Sequence, residues 1–212
     1  IYYFGNLLFM SIDQLISGYK SFRQDYYLER PEFYKNLVKN GQSPETMIIA
    51  CSDSRVSPST MSQADPGEIF MVRNVANLVP PYDKNSIHHG TNACIEFAVR
   101  DLGVRNIIVL GHSHCGGIKR LCDRSENEVK REFIDSWVSI AEKALDTNLE
   151  GDDQYRYVER RAIEISLKNL LTFPWLKKKC EAGDLELHGC LFDLESGKLF
   201  TRGVDNDWTT IT

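Results

Sequence analysis

Between residues 46 and 110 the apolar positions come as short unbroken runs rather than in alternation: Met47-Ile48-Ile49-Ala50, Ile69-Phe70-Met71-Val72 and Ile107-Ile108-Val109-Leu110. Runs of this length, bounded by turn residues, predict strands buried on both faces over 46–50, 68–73 and 106–110. Gly41-Gln42-Ser43-Pro44 supplies the turn before the first of them. Between the second and third, the pattern changes to a helical one over 91–102, with Ala93, Phe97, Ala98 and Leu102 inward and Gly103 as the stop. Strands alternating with helices predict an α/β fold, a mostly parallel central sheet flanked by helices.

The ends of the chain read differently. Ser11-Ile12-Asp13-Gln14 has the form of a capping box, in which the serine hydroxyl and the glutamine side chain satisfy each other's backbone N–H groups. The helix that follows places Leu15, Ile16, Tyr19, Phe22, Tyr26 and Tyr27 on one sticky face; Pro31 interrupts the pattern before a second helix over 32–40. An N-terminal helical arm of this kind has little core of its own and is expected to lie on another surface, such as a partner subunit. Beyond Gly117 the chain is helical and charged to about residue 171, with a further helix start at Pro174-Trp175. Runs over 185–194 and 198–204 around Ser196-Gly197 predict a C-terminal hairpin.

Residues 1–10 are apolar and aromatic, but too short to span a bilayer and without a charged leading region. They read as a leader or an expression remnant ahead of a start at Met10, and 11–212 as a single domain with no repeat or linker. A chain of 212 residues with 42% hydrophobic content buries one good core. Its net charge of -5 argues against nucleic acid as a partner, because that function needs a basic face. No apolar run is long enough for a membrane span. Six cysteines without a C-x-x-C pair, in a chain this size, fit a reducing, cytoplasmic setting rather than a disulfide scaffold.

Cys51 follows the first predicted strand, and His112-Ser113-His114-Cys115 follows the third. The carboxyl ends of strands are where open α/β sheets bind ligands, so both segments are expected at one crevice. Two thiolates and one imidazole suit Zn²⁺, and three protein ligands leave the fourth tetrahedral position open, as in catalytic sites. His112 is preferred to His114 because its two-residue gap to Cys115 lets both side chains curl to one point. Asp53, two residues beyond Cys51, reaches either the metal or its water, and Arg55 clamps it through a forked pair of hydrogen bonds that keeps it ionised.

Cys51-Ser52-Asp53-Ser54-Arg55, Pro66-Gly67-Glu68, Arg73-Asn74-Val75-Ala76-Asn77, Ile95-Glu96-Phe97-Ala98-Val99 and Gly111-His112-Ser113-His114-Cys115-Gly116-Gly117 together resemble the β-class carbonic anhydrases over residues 42–119. The resemblance implies reversible hydration of carbon dioxide by zinc-bound hydroxide, with one zinc per chain on Cys51, His112 and Cys115. It implies Asp53 as proton acceptor or orienting group, held by Arg55, and a homodimer or multiple of dimers with clefts near the subunit interface. It further implies Gln42 as an amide donor to bicarbonate, and Phe70, Val75 and Phe97 as the apolar wall of the substrate cleft.

Within the family, Ile48 stands where members with a non-catalytic bicarbonate site carry Trp, which implies the plant-like, open zinc site. Phe97 stands in place of a Tyr and Asp101 in place of a His, leaving buffer, Asp101 or the pair His88 and His89 as proton exits. Cys94, Cys122, Cys180, Cys190 and His188 are expected as buried packing residues without a ligand role. No G-x-G-x-x-G or Walker loop supports nucleotide binding. The alternatives kept are a related zinc hydrolase acting on carbon disulfide or carbonyl sulfide, and a non-catalytic zinc-stabilised binding module.

Overall fold

A computed structural model describes residues 10–85, 89–125, 129–203 and 207–211. The contacts fall into two compact units, Ile1–Gln42 and Ser43–Thr212.

In the first unit, helix α1 (Ile12–Arg23) starts at the capping box, Gln14 N–H donating to Ser11 Oγ at 3.2 Å and Ser11 N–H to Gln14 Oε1 at 2.8 Å. A π-helical turn, Gln24–Leu28, leads on to α2 (Pro31–Asn40). Pro31 opens that helix, at a position where its missing N–H costs nothing. Phe22, Tyr26, Tyr27, Phe33 and Tyr34 pack ring on ring, with Tyr27 stacked on Tyr34 at 4.6 Å.

The second unit runs β1 (Thr46–Cys51), α3 (Pro58–Ser62), β2 (Ile69–Asn74), α4 (Gly90–Glu96), β3 (Asn106–His112), α5 (Gly116–Cys122), α6 (Ile134–Val138), α7 (Gly151–Leu170), α8 (Pro174–Glu181), β4 (Glu186–Phe192), β5 (Leu199–Arg202) and β6 (Trp208–Ile211). Among the described residues these strands form a six-stranded sheet in the order β2-β1-β3-β4-β5-β6. The first four are parallel and the last two antiparallel. Alternate residues of β1 enter separate clusters. Met47 and Ile49 join Ile107, Val109 and the α7 residues Ile163, Leu167 and Leu170, while Ile48 and Ala50 join Val56, Leu110 and Cys190. Each fully buried Ile or Leu here contributes about 1.5–3 kcal/mol of apolar transfer.

Several sequence expectations are corrected. β2 is half-buried rather than buried on both faces, because it lies at one edge of the sheet. The helix over 91–102 becomes a π-helical turn at Phe97–Asp101, and its buried face differs from the expected one: Thr91, Ile95, Ala98 and Val99 are buried, whereas Ala93 is exposed and Phe97 is 44% exposed. Gly103 does end the segment, at φ 67°. The helical stretch after Gly117 is broken into α5, α6, a 3₁₀ segment at Ser139–Ala144 and α7. The hairpin of β4 and β5 continues into a third strand, β6, that the pattern does not reveal; Val204 lies outside the described residues, as do residues 1–9 and His88. His188 is not buried, its side chain being 43% exposed beside Glu186. Cys94, Cys122 and Cys180 are only half-buried, while Cys190 is buried as expected.

Candidate metal centre

From β1 the chain crosses first to β2 on one side and then to β3 on the other, so the carboxyl ends of β1 and β3 flank the switch point of the sheet. Cys51 is the last residue of β1, His112 the last of β3, and Cys115 caps the start of α5. All three are buried, and their ligand atoms lie within 4.8 Å of one another.

The donor set fits zinc. Cys51 Sγ and Cys115 Sγ are 3.9 Å apart, against about 3.8 Å for two sulfurs on one tetrahedral zinc. His112 Nδ1 lies 2.8 Å from the Ser113 carbonyl. Nδ1 therefore carries the proton and Nε2 keeps its lone pair, the second-sphere arrangement that orients a ligating histidine. That Nε2 is buried with no hydrogen-bond partner, a costly condition that a cation at the centre of the cluster removes. The two thiols also meet each other, which lowers the proton affinity of Cys51 and raises that of Cys115. His114 points elsewhere: its backbone is left-handed at φ 56°, and its ring meets Glu195 Oε1 at 3.0 Å.

Asp53 stands at the lip of this cluster, its Oδ2 3.9 Å from His112 Nε2. Arg55 grips both oxygens, Nε donating to Oδ1 at 2.9 Å and a terminal nitrogen to Oδ2 at 2.7 Å, while the Arg55 N–H also donates to Oδ1. These bonds hold the Asp53 carboxyl well below the usual carboxylate range. The same guanidinium donates to the His114 carbonyl at 2.9 Å, tying the two ligand loops together.

Further residues of the centre escaped the sequence reading. Arg73 donates to the carbonyls of Cys51, Asp53 and Val56 at 2.7–2.8 Å, fastening the loop after β1. Its place in Arg73-Asn74-Val75-Ala76-Asn77 was the available signal. Glu159 of α7 is buried, with Oε1 accepting from the Cys115 N–H at 2.9 Å; burial pushes its proton affinity up. No local pattern announces a contact that spans 44 residues. Ala76 donates its N–H to Cys51 Sγ at 3.3 Å from a left-handed conformation, φ 63° and ψ 24°, that costs a non-glycine residue about 1–2 kcal/mol.

The residues expected to wall the substrate cleft separate into two places. Val75 lies beside the ligand loop, where a Cβ on Gly117 would meet its Cγ1 at 2.6 Å. Phe70 and Phe97 meet each other, ring centroids 5.8 Å apart. Phe70, however, pairs with Met47, whereas Cys51 pairs with Asn74 four residues further along β2. That is about 13 Å of strand rise. Gln42 is the exposed last residue of the N-terminal unit.

A parallel sheet with a buried Cys₂His cluster at its switch point and an Arg-clamped carboxylate at the lip defines the class: an α/β protein with a catalytic-type metal centre. The carbonic anhydrase family profile matches residues 46–199, and the chain belongs to that family, in its plant-like β class. It is 41% identical over 183 residues to β carbonic anhydrase 5, chloroplastic, of Arabidopsis thaliana, covering 84% of this chain and 60% of that relative's length. Among solved structures it is similar to the β-carbonic anhydrase CcaA, with a TM-score of 0.86 and 33% identity, covering 95% of this chain and 92% of that one. It is also similar to the tetrameric β-carbonic anhydrases of the filamentous ascomycete Sordaria macrospora, with a TM-score of 0.78 and 28% identity over 93% and 98% of the two chains.

Proposed function

We propose that this protein is a lyase that catalyses the reversible hydration of carbon dioxide to bicarbonate and a proton, with one zinc held by Cys51, His112 and Cys115. The observation that carries the reading is the convergence of three buried ligand atoms within 4.8 Å beneath an Asp53 carboxylate gripped by Arg55. Zinc, when bound there, supplies a Lewis acid able to lower the pKa of water to about 7. The chain supplies the rest. The Ser113 carbonyl holds His112 in the ligating tautomer. Arg55 keeps Asp53 ionised, and Asp53 Oδ2, 3.9 Å from His112 Nε2, orients the reacting water or receives its proton. Val75 gives the apolar contact suited to a substrate without a net dipole. Ile48 in β1, in place of a Trp, goes with a site that stays open.

Dimers or multiples of dimers follow from the family likeness and from the tetrameric Sordaria enzymes. The position of the Phe70–Phe97 pair, far along β2 from its own Cys51, supports its walling a cleft in a second copy rather than in the same chain. Gln42 donates its side-chain amide to bicarbonate in this reading, and Gln42→Ala is expected to raise KM. Residues 11–212 are read as one functional domain. Six free cysteines support a reducing compartment such as the cytoplasm. Among the described residues no helix is long and apolar enough to cross a membrane.

Stopped-flow hydration of carbon dioxide with a pH indicator tests the activity, on the wild type and on Cys115→Ser. Turnover by the metal-loaded wild type and its loss in the variant are expected. An inactive, metal-loaded wild type would leave the zinc-stabilised binding module, and preferential turnover of carbonyl sulfide the related hydrolase. Activity untouched by Cys115→Ser would overturn the ligand assignment.

A further inference from the structure

The segment between β2 and the following loop is held in an unfavourable shape by more contacts than packing alone requires. Ala76 and the buried Asn77 are both left-handed, at φ 63° and 47°. Asn74 brackets the turn with one side chain: its Oδ1 accepts from the Leu78 N–H at 2.8 Å and its Nδ2 donates to the Leu78 carbonyl at 2.9 Å. Trp137, reaching in from α6, donates its indole N–H to the Val75 carbonyl at 2.7 Å. From α7, the buried Ser166 hydroxyl donates to the Asn77 carbonyl. Strained conformations persist where the surroundings over-determine them, and such places gather at functional sites. What this one achieves is specific: it aims the Ala76 N–H at Cys51 Sγ, 3.3 Å away.

We propose that the Asn74–Leu78 turn is built to donate the Ala76 N–H to the Cys51 thiolate, which makes Asn74 and Trp137 positioning residues of the metal centre. An N–H directed at a metal-bound sulfur draws electron density from it, so the thiolate neutralises less of the cation's charge and the cation remains a stronger Lewis acid; hydrogen bonding around ligating sulfur is a recognised lever on metal sites. The same bond fixes the direction of the sulfur lone pairs. The Asp53 N–H also faces the Cys51 sulfur, and the N–H groups of Gly117 and Ile118 at the start of α5 face that of Cys115, so the Ala76 N–H is the donor to either sulfur that comes from outside the two ligand loops.

The inference rests on Cys51 being a zinc ligand, and the test separates the two. The cobalt-substituted chain reports the sulfur directly through its thiolate-to-metal charge-transfer band. Replacing Ala76 by lactic acid exchanges the amide N–H for an ester oxygen and is expected to leave one metal per chain and to move the band to lower energy, because the sulfur becomes the stronger donor. Trp137→Phe and Asn74→Asp, which keep the bulk and lose one donor each, are expected to move the band the same way by less. Ala76→Gly retains the N–H and suits the left-handed conformation, so the band stays where the wild type has it. If wild type binds metal and the band is unmoved by the lactyl substitution, or by both side-chain variants should that chain not fold, the proposal is overturned. A wild type that binds no metal overturns the ligand reading instead.

Discussion

Arg55 holds both oxygens of Asp53, and Oδ2, which accepts only one of those bonds, lies 3.9 Å from His112 Nε2. A residue so placed acts by position and charge together. Asp53→Asn keeps the shape but loses the charge and one of the two oxygens that Arg55 grips. It is therefore expected to retain zinc on elemental analysis while turnover falls about 10²–10⁴-fold, the contribution of a positioned base. Loss of the metal instead would make Asp53 mainly a ligand. Asp193 makes a different residue-scale prediction. It accepts from the Ser113 hydroxyl at 2.8 Å and so fastens the segment after β3 to the β4–β5 turn. The Ser196 hydroxyl, then that of Ser113, holds it down to about 2. A depressed carboxylate stabilises the fold above its unfolded pKa of about 3.9 and loses that contribution as pH falls through about 2. The gap in urea midpoint between wild type and Asp193→Asn should therefore be constant above about pH 5 and close toward pH 2; a gap that persists at pH 2 would contradict this. Cys51, His112, Cys115, Asp53 and Arg55 were legible because each lies at a strand end or within a few residues beyond it. Glu159 and Trp137 were not, because their contacts are made across 44 and 62 residues and leave no local pattern.

At the scale of elements, short apolar runs located β1, β2 and β3 within a residue or two, since burial on a parallel sheet imprints itself directly on sequence. Burial along 91–102 was misplaced at Ala93 and Phe97, both exposed, because a period of 3.6 picks a face of a helix without telling how much of it neighbouring elements cover; the π-helical turn begins only at Phe97, and Ala98 within it is buried as expected. β6 was missed because Trp208, Thr209, Thr210 and Ile211 form an edge strand mostly exposed, with little apolar pattern to read. The start of α5 separates packing from propensity. At Gly116 a Cβ would meet nothing within 4 Å, so Gly116→Ala is expected to stabilise by up to about 1 kcal/mol through helix propensity. At Gly117 the same Cβ would lie 2.6 Å from Val75 Cγ1 and 3.0 Å from Ala76 Cβ. Overpacking costs about 1–3 kcal/mol and outweighs the propensity gain, so Gly117→Ala is expected to destabilise. Urea midpoints compare the two, and equal shifts of one sign would refute the close approach of the turn to α5.

The whole molecule leaves one account open on its surface. The N-terminal unit spends Phe22, Tyr26, Tyr27, Phe33 and Tyr34 on one another, joining α1 to α2 through ring contacts. It leaves Ile12, Leu15, Ile16 and Tyr19 exposed at 67%, 55%, 45% and 58%, and no residue of α1 is buried. Their spacing of three and four places them on one stripe of the helix, the arrangement of a face meant to be covered. An apolar stripe of this kind can form part of the core of an assembly of identical chains, where the core of an interface is more apolar than its rim. Replacing Leu15 and Ile16 with Asp puts two carboxylates at the middle of that face, where burial without partners costs more than an isolated helix can offset. Wild type is expected to sediment at twice the chain mass or a higher even multiple, and the double variant at a lower multiple with the far-ultraviolet circular dichroism of the sheet retained. If the variant keeps the wild-type mass, the stripe is not an assembly surface; a monomeric wild type would remove the oligomer reading itself, and with it the assignment of Phe70 and Phe97 to the cleft of a second copy.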